Sequence, residues 1–208
     1  MTDLASQLTE RTLSLVQFLL EIEKYKTIER TIGTSKIGRA ESDAEHSWHL
    51  AMFVWLLVPE LKLEIDQMKL TKMVLMHDLV EIYAGDVDVY DKQHQTGKAE
   101  REMVAAKKLF AQLPADLAQE FHSLFAEFEA RETLEAKVAQ AFDKLQPVLQ
   151  NIASRGRYWQ AKGIKPQDVR DVKRGYFEFD STIQAIFEHL LDRAQREQLF
   201  DTPLVRPK

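Results

Sequence analysis

The sequence predicts an all-α protein with a single domain of about seven to eight helices. Successive segments repeat apolar side chains at the three- and four-residue spacing of a helix. The 208 residues include only 7 glycines and 6 prolines, which are too few for the many turns of an all-β fold. A chain of this length matches one domain that buries roughly 70% of its unfolded surface. We expect residues 1–200 to form that domain and residues 201–208 to be a flexible tail.

Eight segments carry the helical period, and polar or glycine-containing segments separate them. They span about residues 4–26, 42–57, 66–85, 98–112, 114–129, 132–153, 166–174 and 181–198. Ser42 and Glu45 match a capping box at the start of the second helix, and Asp66 is a suitable N-cap for the third. Residues 27–39, 86–96 and 154–165 are expected to be loops. Pro147 predicts a kink in the sixth helix, because proline has no N–H to donate.

The charge and the residue content exclude several kinds of partner and site. The net charge of −5 gives the chain no basic footprint, which argues against long nucleic acid as a partner. The absence of cysteine excludes disulfides and thiolate metal sites. A metal would therefore be bound by histidine nitrogens and carboxylate oxygens, a ligand set that suits Mn, Mg, Co, Ni, Fe or Zn.

Neither membrane insertion nor secretion is expected. The longest apolar run, Leu50–Val58, is far shorter than the ~20 residues of a membrane-spanning helix. The first ten residues contain Asp3 and Glu10 but no lysine or arginine, so no signal peptide is evident. We expect a cytoplasmic protein.

The stretch Lys69–Asp86 places four ionisable side chains on a strongly apolar helix. They are His77, Asp78, Glu81 and, just after the helix, Asp86. Carboxylates are seldom fully buried without a partner, because removing a charge from water is costly. A divalent cation is the simplest partner for a buried His-Asp pair, so this stretch predicts part of a metal site.

Two residues on other predicted helices extend this pattern, namely His46 in the first turn of the second helix and Asp143 in the sixth. The pattern reads Glu41-x-x-x-Glu45-His46-Ser47-Trp48, then His77-Asp78-x-x-Glu81-x-x-x-Gly85-Asp86, then Asp143-Lys144. With these residues the sequence resembles the HD-domain phosphohydrolase superfamily from about Arg30 to Asp143, with a weaker match over Tyr176–Ile186. Within the superfamily it is similar to the small 5′-nucleotidase branch, which acts on deoxyribonucleoside monophosphates.

The resemblance implies an HD-type helical bundle with one divalent metal. The implied ligands are His46, His77, Asp78 and Asp143. Two neutral imidazoles and two carboxylates would neutralise a divalent ion and leave positions for water and a phosphate oxygen. The sequence does not select one metal among Mn, Co, Mg, Ni, Fe and Zn.

The resemblance also implies roles for residues beside the metal. Glu81 and Asp86 would act in catalysis, and Arg30 would bind the substrate phosphate. By its position alone, in a glycine-containing segment, Arg30 would be assigned to the surface. Members of the branch often carry tryptophan at or soon after this arginine, whereas Thr31–Gly33 follow here. Selectivity between deoxyribose and ribose therefore stays open.

Several alternatives remain at this stage. The chain could hydrolyse nucleotide diesters or triphosphates, or it could be a regulatory module that binds a nucleotide without turnover. His94 and His122 are weak candidates for a second metal site, because neither stands at motif spacing. The apolar faces of the fourth, fifth and eighth predicted helices suggest a homodimer.

Overall fold

The computed structural model describes residues 8–200, except for the side chains of Lys92 and His94. The predicted tail, residues 201–208, and the start of the first predicted helix, residues 4–7, lie outside the described residues. The helices are α1 (Glu10–Glu21), α2 (Asp43–Leu57), α3 (Gln67–Met76), α4 (Glu81–Ala84), α5 (Lys92–Gln95), α6 (Lys98–Phe110), α7 (Ala115–Ala130), α8 (Leu134–Ala153), α9 (Arg157–Lys162), α10 (Pro166–Lys173) and α11 (Ser181–Arg196). Two strands, β1 (Glu29–Gly33) and β2 (Ala40–Ser42), lie between α1 and α2.

The all-α prediction is confirmed, with nine helices longer than one turn among residues 8–200. Eight of them match the predicted segments. The ninth is α9, which lies in a segment expected to be a loop, between Gly156 and Gly163 with φ of 70° and 65°. None of the described helices is long and apolar enough to cross a membrane. The buried apolar side chains form one cluster that extends from Phe18 to Phe200.

The longest helix, α8, is the centre of the fold. It packs against α2, α3, α7 and α11. Its apolar side chains Phe142, Leu145 and Val148 are fully buried or nearly so. It also buries four polar residues, Asp143, Gln146, Gln150 and Asn151, which require partners within the fold. The middle of α8 therefore brings several polar side chains into the core.

The third predicted helix is not continuous, which corrects the expectation for residues 66–85. Asp66 caps α3 by accepting hydrogen bonds from the amides of Met68 and Lys69, as predicted. The helix ends at Met76, and a tight turn follows in which the Glu81 amide donates to the Asp78 carbonyl at 2.9 Å. Such i→i+3 bonds tighten the chain relative to an α-helix. Glu81 therefore begins the separate helix α4 and does not stand one α-helical turn above His77.

Residues 27–39 contain a strand rather than only a loop. β1 and β2 pair antiparallel, with Glu29 opposite Ser42 and Gly33 opposite Ala40. Strands of five and three residues are too short to display a clear two-residue period in the sequence. The hairpin leads directly into α2, whose predicted capping box between Ser42 and Glu45 is present. It thereby fixes β1 beside the first turn of α2.

Candidate metal centre and its pocket

Three helical elements bring the four predicted metal ligands together. His46 lies in the first turn of α2, His77 and Asp78 in the turn after α3, and Asp143 in the middle of α8. Each of the four offers one ligand atom, and these atoms all lie within 4.8 Å of one another. His46 Nε2 is 3.2 Å from Asp143 Oδ1, and His77 Nε2 is 3.1 Å from Asp78 Oδ2. A single small ion at the centre of the cluster could contact all four.

Hydrogen bonds on the far side of each imidazole determine which nitrogen faces the cluster. His46 Nδ1 lies 3.0 Å from Gln146 Oε1, and His77 Nδ1 lies 3.1 Å from the Val74 carbonyl oxygen. Both partners are oxygen acceptors, so both Nδ1 atoms carry the proton. The lone pair of each Nε2 then points into the cluster. His77 Nε2 is buried and makes no well-formed hydrogen bond despite its proximity to Asp78.

This donor set fits a divalent cation. Two neutral imidazole nitrogens and two carboxylate oxygens are common ligands of Mn, Fe, Co, Ni and Zn. Burial alone would raise the pKa of Asp78 and Asp143, but the contacts of Asp78 with His77 and Arg30, and of Asp143 with Lys144 and both histidines, outweigh it and hold both pKa values well below the ordinary range. Both aspartate side chains are therefore ionised at neutral pH. Burial lowers the pKa of His77, but Asp78 outweighs it and raises that pKa above its ordinary value. Burial lowers the pKa of His46 to about 4, which keeps its imidazole neutral.

Arg30 belongs to this cluster and not to the surface. Its Nη1 donates to Asp43 Oδ1 at 3.1 Å and to Asp78 Oδ2 at 3.0 Å, and its Nε lies 4.0 Å from Glu41 Oε2. Only 15% of the side chain is exposed. Burial lowers the pKa of Arg30, but Asp78 and the other carboxylates raise it further, so the guanidinium stays charged. The Nη2 group takes part in none of these contacts.

Glu81 and Asp86 lie in the same pocket and differ electrostatically from the predicted ligands. Glu81 is buried, its Oε2 has no hydrogen-bond partner among the described residues, and its Oε1 is 3.9 Å from Lys98 Nζ. Burial, followed by the charges of Asp78 and Asp43, raises the pKa of Glu81 well above its ordinary value. Burial also raises the pKa of Asp86. Both carboxyl groups therefore bind a proton more readily than an ordinary exposed carboxylate does.

Sequence reasoning missed several residues of the cluster. Asp43, Asp78 and Glu81 form a second group of ligand atoms within 4.8 Å. Asp43 lies between Ser42 and Glu45, the two residues of the capping box. An acidic residue in the first turn of a helix is common, so the sequence did not indicate that Asp43 is buried. Arg30 already bonds two of these three residues, Asp43 and Asp78, but only Asp78 among the four residues of the group with two histidines. The group with two histidines is therefore the better candidate for a cation.

Two lysines on the other side of the cluster were also missed. Lys144 Nζ lies 2.7 Å from Asp143 Oδ2. Lys173 is buried and donates to the Lys144 carbonyl oxygen at 2.9 Å. Lys144 follows directly after a predicted ligand, and this adjacency was the available signal for it. Lys173 arrives from α10, and only the tertiary fold brings it to the site.

A cavity of about 400 Å³ opens over the cluster. Arg30, Asp78, Glu81 and Asp86 line it, together with lysines, aromatic residues and apolar residues from α6 to α10. His122 packs against Phe110 and joins neither group of potential metal ligands among the described side chains. The side chain of His94 lies outside the described residues.

Comparisons with known proteins agree with this arrangement. A family model described as "HD domain" matches residues 22–187. The human protein named 5′-deoxynucleotidase HDDC2 is 28% identical over 182 residues, which cover 87% of each chain. The protein of the same name from Dictyostelium discoideum is 31% identical over 169 residues, which cover 78% of this chain and 89% of that protein.

Solved structures are also similar. The crystal structure of a predicted metal-dependent phosphohydrolase from Magnetospirillum magnetotacticum MS-1 superposes with a TM-score of 0.84 at 37% identity and covers 93% of this chain and all of that one. An HD-domain phosphohydrolase from Listeria innocua, at 20% identity and a TM-score of 0.58, shares the fold. Because the family model covers most of the sequence, the chain belongs to the HD-domain phosphohydrolase superfamily.

Proposed function

We propose that this chain is a metal-dependent 5′-nucleotidase that hydrolyses deoxyribonucleoside 5′-monophosphates to nucleosides and phosphate. The observation that carries the proposal is that one pocket contains a potential metal site, a buried arginine and two carboxyl groups with raised pKa values. Four ligand atoms lie within 4.8 Å of one another, Arg30 extends an arginine fork beside them, and Glu81 and Asp86 have raised pKa values. The relatives named 5′-deoxynucleotidase, which match most of the chain, support the choice of substrate.

His46, His77, Asp78 and Asp143 would hold the metal. When bound, a divalent cation supplies charge to a phosphate oxygen and lowers the pKa of a bound water. Gln146 and the Val74 carbonyl keep both histidines in the tautomer that binding requires. The low pKa values of Asp78 and Asp143 mean that neither has to lose a proton at neutral pH before it can act as a ligand.

Arg30 would bind and orient the phosphate. Its Nη1 is fixed by Asp43 and Asp78, which leaves Nη2 to donate to a phosphate oxygen. A guanidinium held at several points loses little conformational entropy when it binds its ligand. Lys144 adds positive charge on the α8 side of the pocket. The expected effect of these groups is to neutralise the negative charge of the phosphate as it reacts.

Glu81 and Asp86 would manage the protons of the reaction. As the water oxygen bonds to phosphorus and the P–O5′ bond breaks, the water loses a proton and the departing nucleoside oxygen gains one. A carboxyl group with a raised pKa can carry a proton at neutral pH and donate it to that oxygen. A neighbouring carboxylate can accept the proton of the water. The pair therefore provides both partners of general acid–base catalysis within the pocket.

Phosphate release from a substrate panel tests the proposal. The protein is treated with a chelator, and then Mn, Co, Mg or Zn is added separately. We expect hydrolysis of deoxyribonucleoside monophosphates with at least one metal and little hydrolysis of diesters and triphosphates. Faster hydrolysis of diesters or triphosphates would instead indicate a phosphodiesterase or triphosphatase. Nucleotide binding without turnover under every metal would indicate a regulatory module.

Glu81→Gln separates catalysis from binding. Glutamine preserves the shape of the side chain but cannot transfer a proton, so turnover should fall by about 10²-fold or more, the range for a lost general acid–base group. Metal content and nucleotide affinity should change by no more than a few-fold. The matched control is Glu102→Gln, because Glu102 lines the same cavity but pairs with Lys98 at 3.1 Å. Equal turnover in wild type and Glu81→Gln would leave Glu81 with a structural role only.

We also propose that the protein is a homodimer, although the supporting surface differs from the one expected. On α1, Leu13, Val16, Leu19 and Leu20 are about half exposed or more. On α2, Trp48, Trp55 and Leu56 are more than 60% exposed. The fourth predicted helix contributes only Met103 and Val104, and the fifth and eighth contribute no large exposed apolar side chain among the described residues. Sedimentation equilibrium should give twice the chain mass of 24.1 kDa, and a value near 24.1 kDa would exclude the dimer.

A further inference from the structure

Two polar atoms in the cavity have no role in the mechanism above. Asn151 and Tyr90 both line the cavity. Asn151 Oδ1 and the Tyr90 hydroxyl are buried, and neither has a hydrogen-bond partner among the described residues. Leaving a buried polar atom unpaired is costly, and proteins usually avoid it. A pair of such atoms in one cavity therefore points to a ligand.

The Asn151 side chain is held in one orientation. Its Nδ2 donates to the Pro147 carbonyl oxygen at 2.9 Å, which identifies Oδ1 as the remaining acceptor. Asn151 is only 2% exposed. It follows Asp143 by eight residues on α8, which corresponds to about 12 Å along the helix axis. This separation is too large for a group that binds the same phosphate, but it suits the far end of a nucleoside monophosphate.

Asp88 organises the wall to which Tyr90 belongs. Its carboxylate accepts hydrogen bonds from the Tyr158 hydroxyl at 2.7 Å and from the Tyr90 amide at 3.0 Å. The rings of Tyr90 and Tyr158 lie 6.3 Å apart. The Tyr158 hydroxyl is thus committed to Asp88, whereas the Tyr90 hydroxyl is not. Burial raises the pKa of Tyr90 to about 12, so this hydroxyl keeps its proton.

The same wall of the cavity also contains the residues that follow Arg30, the proposed phosphate-binding residue. Thr31 and Ile32 follow Arg30 on β1, and both line the cavity. Gln150 Nε2 donates to the Gly33 carbonyl oxygen at 3.1 Å and so fixes β1 against α8 beside Asn151. Apolar and aromatic side chains complete the wall, namely Val87, Val89 and Trp159. An apolar surface with a few fixed polar groups is typical of a small-molecule pocket.

Most polar side chains on the opposite side of the cavity already have partners. Lys98 pairs with Glu102 at 3.1 Å, and Gln140 Nε2 donates to the Phe128 carbonyl oxygen at 2.6 Å. The buried unpaired atom near Lys98 among the described residues is Glu81 Oε2, to which the proposed reaction already gives a role. A ligand placed there would have to displace existing contacts. The geometry therefore favours the side with Asn151 and Tyr90 for the rest of the substrate.

We propose that Asn151 and Tyr90 form the subsite that binds the nucleoside part of the substrate. Asn151 Oδ1 accepts a hydrogen bond from an N–H or O–H of the nucleoside, and the Tyr90 hydroxyl bonds a second polar group of it. The nucleoside packs against the wall formed by Ile32, Tyr158 and Trp159. The inference rests on the proposed function, which places the phosphate at Arg30. It assigns substrate recognition to residues outside the motif that carries the chemistry.

Binding of two matched phosphonates tests the subsite without relying on turnover. The first type of probe is a deoxynucleoside 5′-phosphonate, prepared for each of the four common deoxynucleosides. In these compounds CH₂ replaces the O5′ atom that bridges to phosphorus, so no P–O5′ bond can break. The other is methylphosphonate, which has the same head and no nucleoside. Affinities are measured by calorimetry at saturating Mn²⁺ on wild type, Asn151→Leu and Tyr90→Phe. The control is Tyr83→Phe, because the Tyr83 hydroxyl donates to Glu21 outside the cavity.

Wild type should bind at least one nucleoside phosphonate more than about ten-fold more tightly than methylphosphonate. Asn151→Leu should weaken that binding about ten-fold and Tyr90→Phe about three-fold, as expected for lost buried hydrogen bonds. Methylphosphonate affinity should stay within about two-fold throughout, and Tyr83→Phe should match wild type. Tyr90→Phe removes one hydroxyl only, so it decides the question if Asn151→Leu fails to fold.

The possible outcomes separate the subsite from the proposed function. Equal wild-type affinity for the two probes, or equal losses for both probes in the variants, would overturn the subsite even if phosphate release is observed. Selective loss of nucleoside phosphonate binding would support the subsite even if no monophosphate is hydrolysed with any metal. In that second case, only the proposed nucleotidase activity would fail.

Discussion

Replacing Gln146 by leucine should weaken metal binding although Gln146 is not one of the proposed ligands. Its Oε1 accepts from His46 Nδ1 at 3.0 Å, and its Nε2 donates to Glu41 Oε1 at 2.6 Å. The second bond assigns the amide orientation, because a carboxylate can only accept from the amide nitrogen. Gln146 is fully buried, so no water replaces it easily. Leucine would leave His46 free to change tautomer and to turn its lone pair away from the cluster.

The size of the effect follows from what the histidine loses. Removing the acceptor leaves a buried N–H unpaired, at a cost of about 1–3 kcal/mol. Partners of metal-binding histidines typically change affinity by about 10–100-fold when removed, which corresponds to about 1.4–2.8 kcal/mol. We therefore expect the metal dissociation constant of Gln146→Leu to rise by about 10–100-fold. Glu41 also loses its donor, so the free energy of unfolding should fall.

Competition with a chromogenic chelator measures the affinity for Co²⁺ or Mn²⁺ well below the unfolding temperature. Gln140→Leu is the matched control, because it makes the same change on the same helix and removes only a bond to the Phe128 carbonyl. Circular dichroism confirms that each variant is folded at the assay temperature. A dissociation constant within two-fold of wild type for Gln146→Leu would refute the assignment of His46 as a ligand oriented by Gln146.

Two further predictions concern the cationic groups. Arg30→Lys should lower kcat/KM for a nucleoside monophosphate at least ten-fold, about 1.4 kcal/mol, because lysine cannot reproduce the planar fork. Metal content should barely change, and the exposed Arg39→Lys is the control; an unchanged kcat/KM would remove Arg30 from the phosphate site. Burial and Lys144 lower the pKa of Lys173 from 10.5 to about 7, so the unfolded chain binds more protons between these pH values, and the free energy of unfolding decreases as the pH falls from about 10.5 to about 7. Lys173→Met should therefore raise the free energy of unfolding by roughly 2 kcal/mol at pH 7 and by less at pH 9, as measured by urea titration, and a variant less stable than wild type at pH 7 would contradict this.

The helices were predictable from the sequence because their apolar faces are long and regular. The capping box of α2 and the N-cap of α3 were predicted for the same reason, since each depends on residues within one turn. The break between His77 and Glu81 was not predictable, because no glycine or proline marks it and the apolar run continues through it. The hairpin of β1 and β2 was missed because its strands are too short to establish a period.

The predicted ligands lie together, whereas the residues that orient them were not foreseen. The resemblance to the HD-domain superfamily implies His46, His77, Asp78 and Asp143 as ligands, and these do share one cluster. Gln146 reaches His46 across 100 positions of sequence, and its role depends on which face of α8 packs on α2. Such a contact has no local sequence signature. The same holds for Lys173, whose approach to Lys144 depends on the packing of α10.

The carboxyl groups of the pocket differ in pKa because their neighbours differ. Burial alone would raise the pKa of every one. Asp143 lies 2.7 Å from Lys144 and 3.2 Å from His46, and Asp78 lies 3.1 Å from His77 and 3.0 Å from Arg30, and these contacts hold both pKa values well below the ordinary range. The cation nearest to Glu81 is Lys98 at 3.9 Å, and Glu81 keeps a raised pKa. Groups whose environments separate their pKa values in this way are suited to opposite roles, one as ligand and the other as proton carrier. Arg30 alone does not lower a pKa in this pocket, because Asp43 lies 3.1 Å from its Nη1 and burial still raises the pKa of Asp43 to about 7. The histidines and Lys144 beside Asp78 and Asp143 therefore account for most of the difference in pKa between the carboxyl groups proposed as metal ligands and those proposed as proton carriers.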